Sequence, residues 1–326
     1  MNQKELIKSC YLRAVRFVPD IEIINKLLLK TKFKATTGKT LSFSKPENLN
    51  QKLQWVKIYD RNPLYTVIAD KVGVRKYLTD MGFQDILIPC FGEGSSFEEF
   101  KLSNVNSSSF PVIIKVNHDC SGGLILRNPN EPLINVKGIS EPKFSESEFN
   151  STYDYNEAYI RYFIKERMKY NHYYSSKEWQ YKNIPKKFLI EKLLEDSDGH
   201  IPNDYKFHCF NGKVEFIYVS VDREGDDYRK IYYPDWTPAP FTWTKIGKEK
   251  CFEGADISPP ENLNKLIEVA EKISQDFKYI RVDLYSTGKE IFFGELTLQH
   301  GSGFEPILPA KYDEYYGSLF DIDNKY

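Results

Sequence analysis

The sequence predicts an α+β fold and argues against a doubly wound parallel sheet. Strand-like apolar runs are joined by tight turns, as at Phe210-Asn211-Gly212-Lys213 and Ser286-Thr287-Gly288-Lys289, and turns of this kind make hairpins. Helical stretches are mixed with these hairpins and do not alternate with single strands in a βαβ series. With 326 residues, 41% of them hydrophobic and 28% charged, the chain can bury a sizeable core in two or three subdomains.

The elements follow in order. Residues 3–31 carry apolar residues at helical spacing (Leu6, Ile7, Leu12, Val15, Ile21, Ile24 and Leu27 to Leu29), and Pro19 divides them into two helices. Lys4, Lys8, Arg13, Arg16 and Lys26 on this stretch fit a membrane-surface or partner helix, or more simply the solvated face of a packed one. A turn at Ser44-Lys45-Pro46-Glu47-Asn48 precedes the helical segment LNQKLQWVKIYD, and another helix begins at Ala69 and ends near Gly82. Residues 86–91 and 112–116 read as strands, with a polar loop at 103–109. Residues 118–150 read as loop and short strand, and 154–182 as Tyr-rich helix. Strands are expected at 188–194, 205–210 and 214–221, an amphipathic helix at 259–277, and a final hairpin at 280–285 and 291–298.

Composition excludes some function classes. A net charge of -1 gives no bulk electrostatic attraction for nucleic acid. The five cysteines, Cys10, Cys90, Cys120, Cys209 and Cys251, form no CxxC pair, which speaks against a zinc site or a disulfide framework and fits a reducing cytoplasm. The segment MNQKELIKSCYLRAVRF has no uninterrupted apolar stretch of the signal-peptide kind, and no run long enough to span a membrane is expected. The 23 Tyr and 22 Phe are read chiefly as packing, with sugar or base stacking as the sharper alternative.

Three segments carry candidate chemistry. In the last hairpin, alternation places Arg281 with Asp283 on one face and Glu295, Thr297 and Gln299 on one face, with Val282, Leu284, Leu296 and Leu298 toward the core. Adjacent carboxylates repel, and a cation relieves them. Mg²⁺ takes few carboxylates together with phosphate oxygens. Taken alone, this segment is more simply an exposed polar face with an ordinary ion pair. In Phe110-Pro111-Val112-Ile113-Ile114-Lys115, a lysine closes an apolar strand, and Ser121-Gly122-Gly123 follows, whose backbone N–H groups suit phosphate. In Phe188-Leu189-Ile190-Glu191-Lys192-Leu193-Leu194, Glu-Lys interrupts an apolar strand whose exposed backbone suits an adenine edge, and Asp204 suits a ribose hydroxyl. The bland alternative is an edge strand protected by charge.

PVIIK with its glycine loop, then IEKLL, then RVD, then GELT resembles the ATP-grasp superfamily in kind and order. From about Lys39 onward the chain is similar to the TupA-like branch, named for teichuronopeptide biosynthesis. The segments carrying this are SKPENLNQKLQWVKIYDRNPLYTVIADKVGVRKYL, QYKNIPKKFLIEKLL, DYKFHCFNGKV and GELTLQHGSGFEP. The resemblance implies an ATP-grasp fold of α+β class with the nucleotide held between two α+β subdomains. A helical region (1–55) would precede the catalytic region (56–326), itself divided into a lid (84–187) and a large subdomain (188–326). It implies ATP and Mg²⁺ as cofactors. Arg75, Lys115, Gly122, Gly123, Glu191, Lys192, Leu194 and Asp204 would contact the nucleotide. Asp283 and Glu295 would hold metal, as would Thr297, which stands where many members have Asn. Arg281 and Lys206 would serve catalysis, and Lys206, Arg223 and Arg229 are candidate triphosphate contacts.

The implied reaction phosphorylates a carboxylate and lets an amine displace the phosphate, joining an amino acid or other amine to a uronic acid of a capsule, O-antigen or teichuronic-type polymer. A lipid-linked saccharide is one acceptor class, at the inner membrane face. The Tyr-rich stretch 153–181 and His300-Gly301-Ser302-Gly303 are candidates for the acceptor side, His300 equally well as a structural loop residue. A glycosyltransferase is the rival enzyme, with Asp196-Ser197-Asp198 as its DxD, although that segment reads better as a hairpin tip. A non-catalytic nucleotide-binding scaffold is the rival from another class.

Overall fold

The structure is a computed structural model and describes residues 19–119, 122–136, 141–196, 198–222 and 227–322. In chain order its elements are α1 (Glu22–Thr37), α2 (Leu49–Tyr59), α3 (Leu64–Ala69), α4 (Gly73–Asp80), β1 (Cys90–Gly94), β2 (Val112–Val116), β3 (Gly123–Leu126), β4 (Ile134–Val136), α5 (Thr152–Met168) and α6 (His172–Ser176). Then come β5 (Phe188–Lys192), β6 (Asp204–Phe210), β7 (Lys213–Val221), β8 (Tyr228–Tyr232), β9 (Thr242–Trp243), α7 (Leu263–Ser274), β10 (Tyr279–Ser286), β11 (Ile291–Thr297), β12 (Ile307–Leu308) and α8 (Ala310–Leu319). No helix among the described residues is long and apolar enough to cross a membrane. The chain divides into two compact units, one of residues 1–65, 173–179 and 196–326, the other of residues 66–172 and 180–195.

The first unit is built on an antiparallel sheet of order β11-β10-β6-β7-β8. The β6–β7 turn forms because Asn211 (φ 50°) and Gly212 (φ 75°) both adopt the left-handed conformation that a two-residue hairpin needs and that Asn and Gly tolerate best. In α7, Leu266, Ala270 and Ile273 recur at helical spacing and are buried, against the sheet face carrying Phe207, Cys209, Val282 and Leu284. A second apolar cluster joins α1, α2 and α8 through Leu29, Phe33, Leu53, Phe216, Trp243 and Tyr316. The helix α2 starts where the Asn48 side chain accepts from Gln51 N–H, as an N-cap does. Residues 1–18, with Lys4, Lys8, Arg13 and Arg16, lie outside the described residues.

Asp313 of α8 is 2% exposed and accepts from Asn50 N–H at 3.0 Å and from its Nδ2 at 3.3 Å. Burial pushes its carboxyl up to about 6 against the pull of these donors and Lys39. The folded state therefore binds the proton more tightly than the unfolded state, so stability falls as pH rises between about 4 and 6. Asp313→Asn keeps an acceptor oxygen and removes the charge. It is expected to gain on the order of 2 kcal/mol over the wild type at pH 7.5 and nothing at pH 4. Urea unfolding at the two pH values measures this, and an equal or lower stability at pH 7.5 would contradict it.

The second unit has a sheet of order β1-β5-β2-β3-β4. Val112, Ile114, Leu124, Leu126, Phe188 and Ile190 share the face covered by Tyr159, Ile160, Phe163 and Ile164 of α5. The first strand was expected at residues 86–91 and begins only at Cys90. Residues 84–86 close a 3₁₀ turn, and Pro89 has no N–H to give a ladder. The residues of β5, expected to start the large subdomain, pair within this sheet, between β1 and β2. Neither the edge-strand reading nor the exposed-backbone reading of this segment holds over 188–192, because the strand is paired on both sides. β8, β9, β12 and α8 were not foreseen.

Candidate active site

In the first unit, register brings the predicted residues together. Asp283 lies opposite Glu295 on β11 and opposite Lys206 on β6, and Arg281 lies opposite Thr297 and His208. Opposed residues share a face, so this face of the sheet carries Asp204, Lys206, His208, Arg281, Asp283, Glu295 and Thr297. A bulge at Gly294 makes this compatible with the core. Asp283 faces Glu295 while Leu284 faces Phe293, so Glu295 takes the polar face and Phe293 the apolar one. A Cβ at Gly294 would lie 3.2 Å from the Asp283 carbonyl oxygen and 3.0 Å from Tyr285 Cε2, so the close approach favours glycine there.

Arg281 organises the charges. Its Nε and Nη2 donate to the two Asp283 oxygens at 2.6 and 2.7 Å, Nη2 also donates to Glu295 Oε1 at 2.5 Å, and Nη1 lies 2.9 Å from His300 Nδ1. Bidentate pairing of this kind is the stronger class of charged hydrogen bond. Lys206 Nζ lies 3.3 Å from Asp283 Oδ2 and also pairs with Asp204. Thr297 Oγ1 donates to Glu295 Oε1 at 3.1 Å. Burial alone would lower the Arg281 pKa, but Asp283 and Glu295 outweigh it and hold it above the ordinary arginine value. Burial pushes the Asp283 carboxyl up to about 6, opposed by Arg281 and Lys206 and assisted by the Asp204 and Glu295 charges. The two partners thus shift in senses that favour and disfavour the pair. The two-point geometry decides for an ionised pair at neutral pH.

The simpler expectation of an exposed polar hairpin is overturned. Arg281 is 7% and Asp283 3% exposed, because β10 is flanked by β6 as well as β11 and is not part of an isolated two-stranded ribbon. Two hard-oxygen carboxylates side by side suit Mg²⁺ that completes its shell with phosphate and water. Among the described residues no group of three or more His, Cys, Asp or Glu is arranged to hold a metal by itself. The Thr297 hydroxyl, proposed as a ligand, is here a donor to Glu295.

In the second unit, Glu191 of β5 is 7% exposed and lies 3.1 Å from Lys115 Nζ on β2 and 3.3 Å from Arg75 Nη1 on α4. Arg75 Nη2 also donates to the Ile88 carbonyl at 2.8 Å. The three side chains singled out from separate segments thus form one charged cluster. Lys192 is exposed, and its N–H is taken by the Pro89 carbonyl, as that of Leu193 is by Pro111. Adenine pairing through these two N–H groups is therefore not open as the chain stands. Leu194 follows outside the strand and is buried. Gly122 has φ 78°. Gly123, expected in a phosphate loop, is the first residue of β3 and pairs with Val136. Cys120 and Ser121 lie outside the described residues.

Arg229 donates to Asp227 Oδ1 at 2.7 Å and to the Tyr228 carbonyl, and Arg223 lies outside the described residues. Asp196 Oδ1 accepts from the N–H groups of Asp198 and His200 at 2.9 Å each, so this carboxylate closes a turn. The turn is not a hairpin tip, since β5 and β6 on either side of it belong to different sheets, and Ser197 lies outside the described residues. Of the Tyr-rich stretch, Tyr155 and Tyr159 pack edge-to-face near Phe144 and Phe149, as packing residues do.

Sequence reasoning missed Lys57. It is 2% exposed and donates to the Ser302 carbonyl at 2.7 Å. Burial lowers it to about 7, countered by Glu178. The available signal was a lysine four residues after Leu53 on the buried stripe of α2.

No curated protein matches the chain. D-alanine–D-alanine ligase from Bacillus anthracis, solved with ATP, is 13% identical, with 71% of this chain and 54% of that chain covered at a TM-score of 0.36. L-amino acid ligase from Bacillus licheniformis is 14% identical, with 78% and 50% covered at 0.36. D-alanine–D-alanine ligase from Helicobacter pylori is 15% identical, with 83% and 67% covered at 0.36. The chain thus spans about half of the first two. The model of the family described as TupA-like ATPgrasp matches residues 51–321, a span that takes in both charged clusters, and the chain belongs to this TupA-like ATP-grasp family.

Proposed function

We propose that the chain is an ATP- and Mg²⁺-dependent carboxylate–amine ligase that attaches an amino acid to a uronic acid of a bacterial surface polysaccharide. The observation that carries this reading is the Arg281–Asp283–Glu295–Lys206 constellation on one sheet face, with Arg281 and Asp283 buried. Bound there, Mg²⁺ would neutralise triphosphate charge and polarise the transferred phosphoryl group. Asp283 and Glu295 would hold it. Arg281 and Lys206 would offset repulsion between the anionic carboxylate and the triphosphate, which otherwise keeps the two apart. A substrate carboxylate oxygen bonds to the γ-phosphorus as ADP leaves. The amine nitrogen then bonds to the acyl carbon, phosphate leaves, and the nitrogen gives up a proton. Lys115, Glu191 and Arg75 are proposed as nucleotide contacts, with Asp204 for the ribose. No protein nucleophile is required.

The deciding experiment screens amino acids against uronic-acid acceptors with ATP, following ADP, inorganic phosphate and the amide together. Stoichiometric ADP, phosphate and amide are expected. AMP with pyrophosphate contradicts the acyl-phosphate route. Turnover of a nucleotide sugar without ATP supports a glycosyltransferase, although the Asp196 carboxylate is already committed to its turn.

A further inference from the structure

We propose that His300 is a positioning residue that holds the Arg281 guanidinium through Nδ1, on a loop locked in place by Lys57, Gln54 and Glu178. The inference rests on the proposed function for its kinetic part only. Arg281 has three hydrogen-bonding partners among the described residues: Asp283, Glu295 and His300. The first two are the proposed metal ligands. Once their oxygens turn to a cation, His300 is the partner left to keep the guanidinium where the substrate needs it.

The chemistry of the contact defines the imidazole. A guanidinium has donors and no acceptor, so His300 Nδ1, 2.9 Å from Arg281 Nη1, must present its lone pair, and the ring proton sits on Nε2. Burial, with Arg281 and Lys206 nearby, keeps the ring from gaining a second proton, against the pull of the Glu305 carboxylate, whose Oε2 stands 3.7 Å from Nε2. Trp243, His208 and Tyr218 surround it at centroid distances of 4.3, 5.0 and 5.1 Å, so rotation away from Arg281 would meet packed rings.

The backbone that carries His300 is held from elsewhere. Gly301, Ser302 and Gly303 have φ of 54°, 54° and 61°, three left-handed residues in succession, with a non-glycine in the middle. Such a conformation persists only where its surroundings impose it. Lys57 Nζ and Gln54 Nε2 donate to the Ser302 carbonyl at 2.7 and 2.9 Å, Gln54 Nε2 also donates to the Gly303 carbonyl at 2.7 Å, and Ser302 Oγ donates to Glu178 Oε1 at 2.5 Å. A Cβ at Gly303 would come within 3.0 Å of Leu53 Cβ and 2.6 Å of Gln54 Nε2, so α2 meets this backbone directly. The buried Lys57 amino group thereby acts on Arg281 through the loop that carries His300.

The test compares the wild type with His300→Asn, His300→Leu and Lys57→Met. The Asn oxygen can take the place of Nδ1 as an acceptor, whereas Leu cannot. His300→Leu is expected to lower kcat for ADP release by about 10–100-fold with KM for ATP little changed, the range of a supporting hydrogen bond, while His300→Asn recovers most of the rate. Lys57→Met should follow the Leu variant. Independently of turnover, ¹⁵N spectra of histidine-labelled protein should show His300, identified by the signal missing from the Asn variant, as the Nε2–H form without titration between pH 5.5 and 8. A protonated Nδ1, an ordinary titration, or equal loss in the Asn and Leu variants overturns the proposal. Should the Leu variant fail to fold, the spectra and the Asn variant decide. A wild type that consumes no ATP with any substrate pair counts against the ligase reading, and the ring form still tests His300.

Discussion

Replacing Arg281 with methionine is expected to cost about 3–5 kcal/mol of stability at pH 7.5, the range for removing one partner of a buried ion pair. Its guanidinium bridges Asp283 and Glu295. Without it both carboxylates face one another, and Lys206 remains as the nearby counter-charge of Asp283. The pH dependence has a definite sign. Asp283 is already raised to about 6 by burial, and Arg281 is the first of the groups that pull it down. Deleting Arg281 raises it further. A folded carboxyl pKa above the unfolded value gives stability that is present at low pH and lost as pH rises. The deficit should therefore be largest at pH 7.5 and shrink by pH 4. Urea unfolding of both proteins at the two pH values measures it, and a deficit independent of pH would mean that the lost contribution is packing and not charge.

Glu295→Gln is the second large effect, on activity. Gln retains an oxygen for Arg281 Nη2 and Thr297 Oγ1, so the thermal midpoint should move little. A neutral amide is a poor Mg²⁺ ligand. ATP turnover is expected to fall about 10²–10³-fold, the loss typical of one electrostatic group at a reacting centre, and the Mg²⁺ concentration for half-maximal rate should rise. Titrating Mg²⁺ at saturating ATP reads both. Turnover near that of the wild type, with an unchanged Mg²⁺ requirement, would remove Glu295 from the proposed metal site. A scaffold without catalysis would show no turnover in either protein.

Much of this was legible in the residues themselves. The α+β class and most elements follow from period-2 and period-3.6 apolar patterns. That Arg281 shares a face with Asp283, and Glu295 with Thr297, follows from alternation, because side-chain direction in a strand is a local property of the backbone; that the two pairs meet follows from the register and the bulge at Gly294. The Asn211-Gly212 hairpin follows from the left-handed conformation those two residues tolerate. The strength of the last hairpin as a site was not legible. Whether Arg281 and Asp283 are exposed or buried depends on β6 lying along the other side of β10, and the Asp283–Lys206 contact spans 77 residues of sequence. Nor does local pattern say that β5 is a central strand of the second sheet, which turns an apparently exposed backbone into a paired one. The His300–Arg281 contact and the Lys57 anchor on Ser302, 245 residues away, likewise depend on chain closure. Periodicity encodes which way a side chain points, while its partners are set by long-range packing, and that is why the strand faces could be read from sequence but the contacts made on them came only with the tertiary structure.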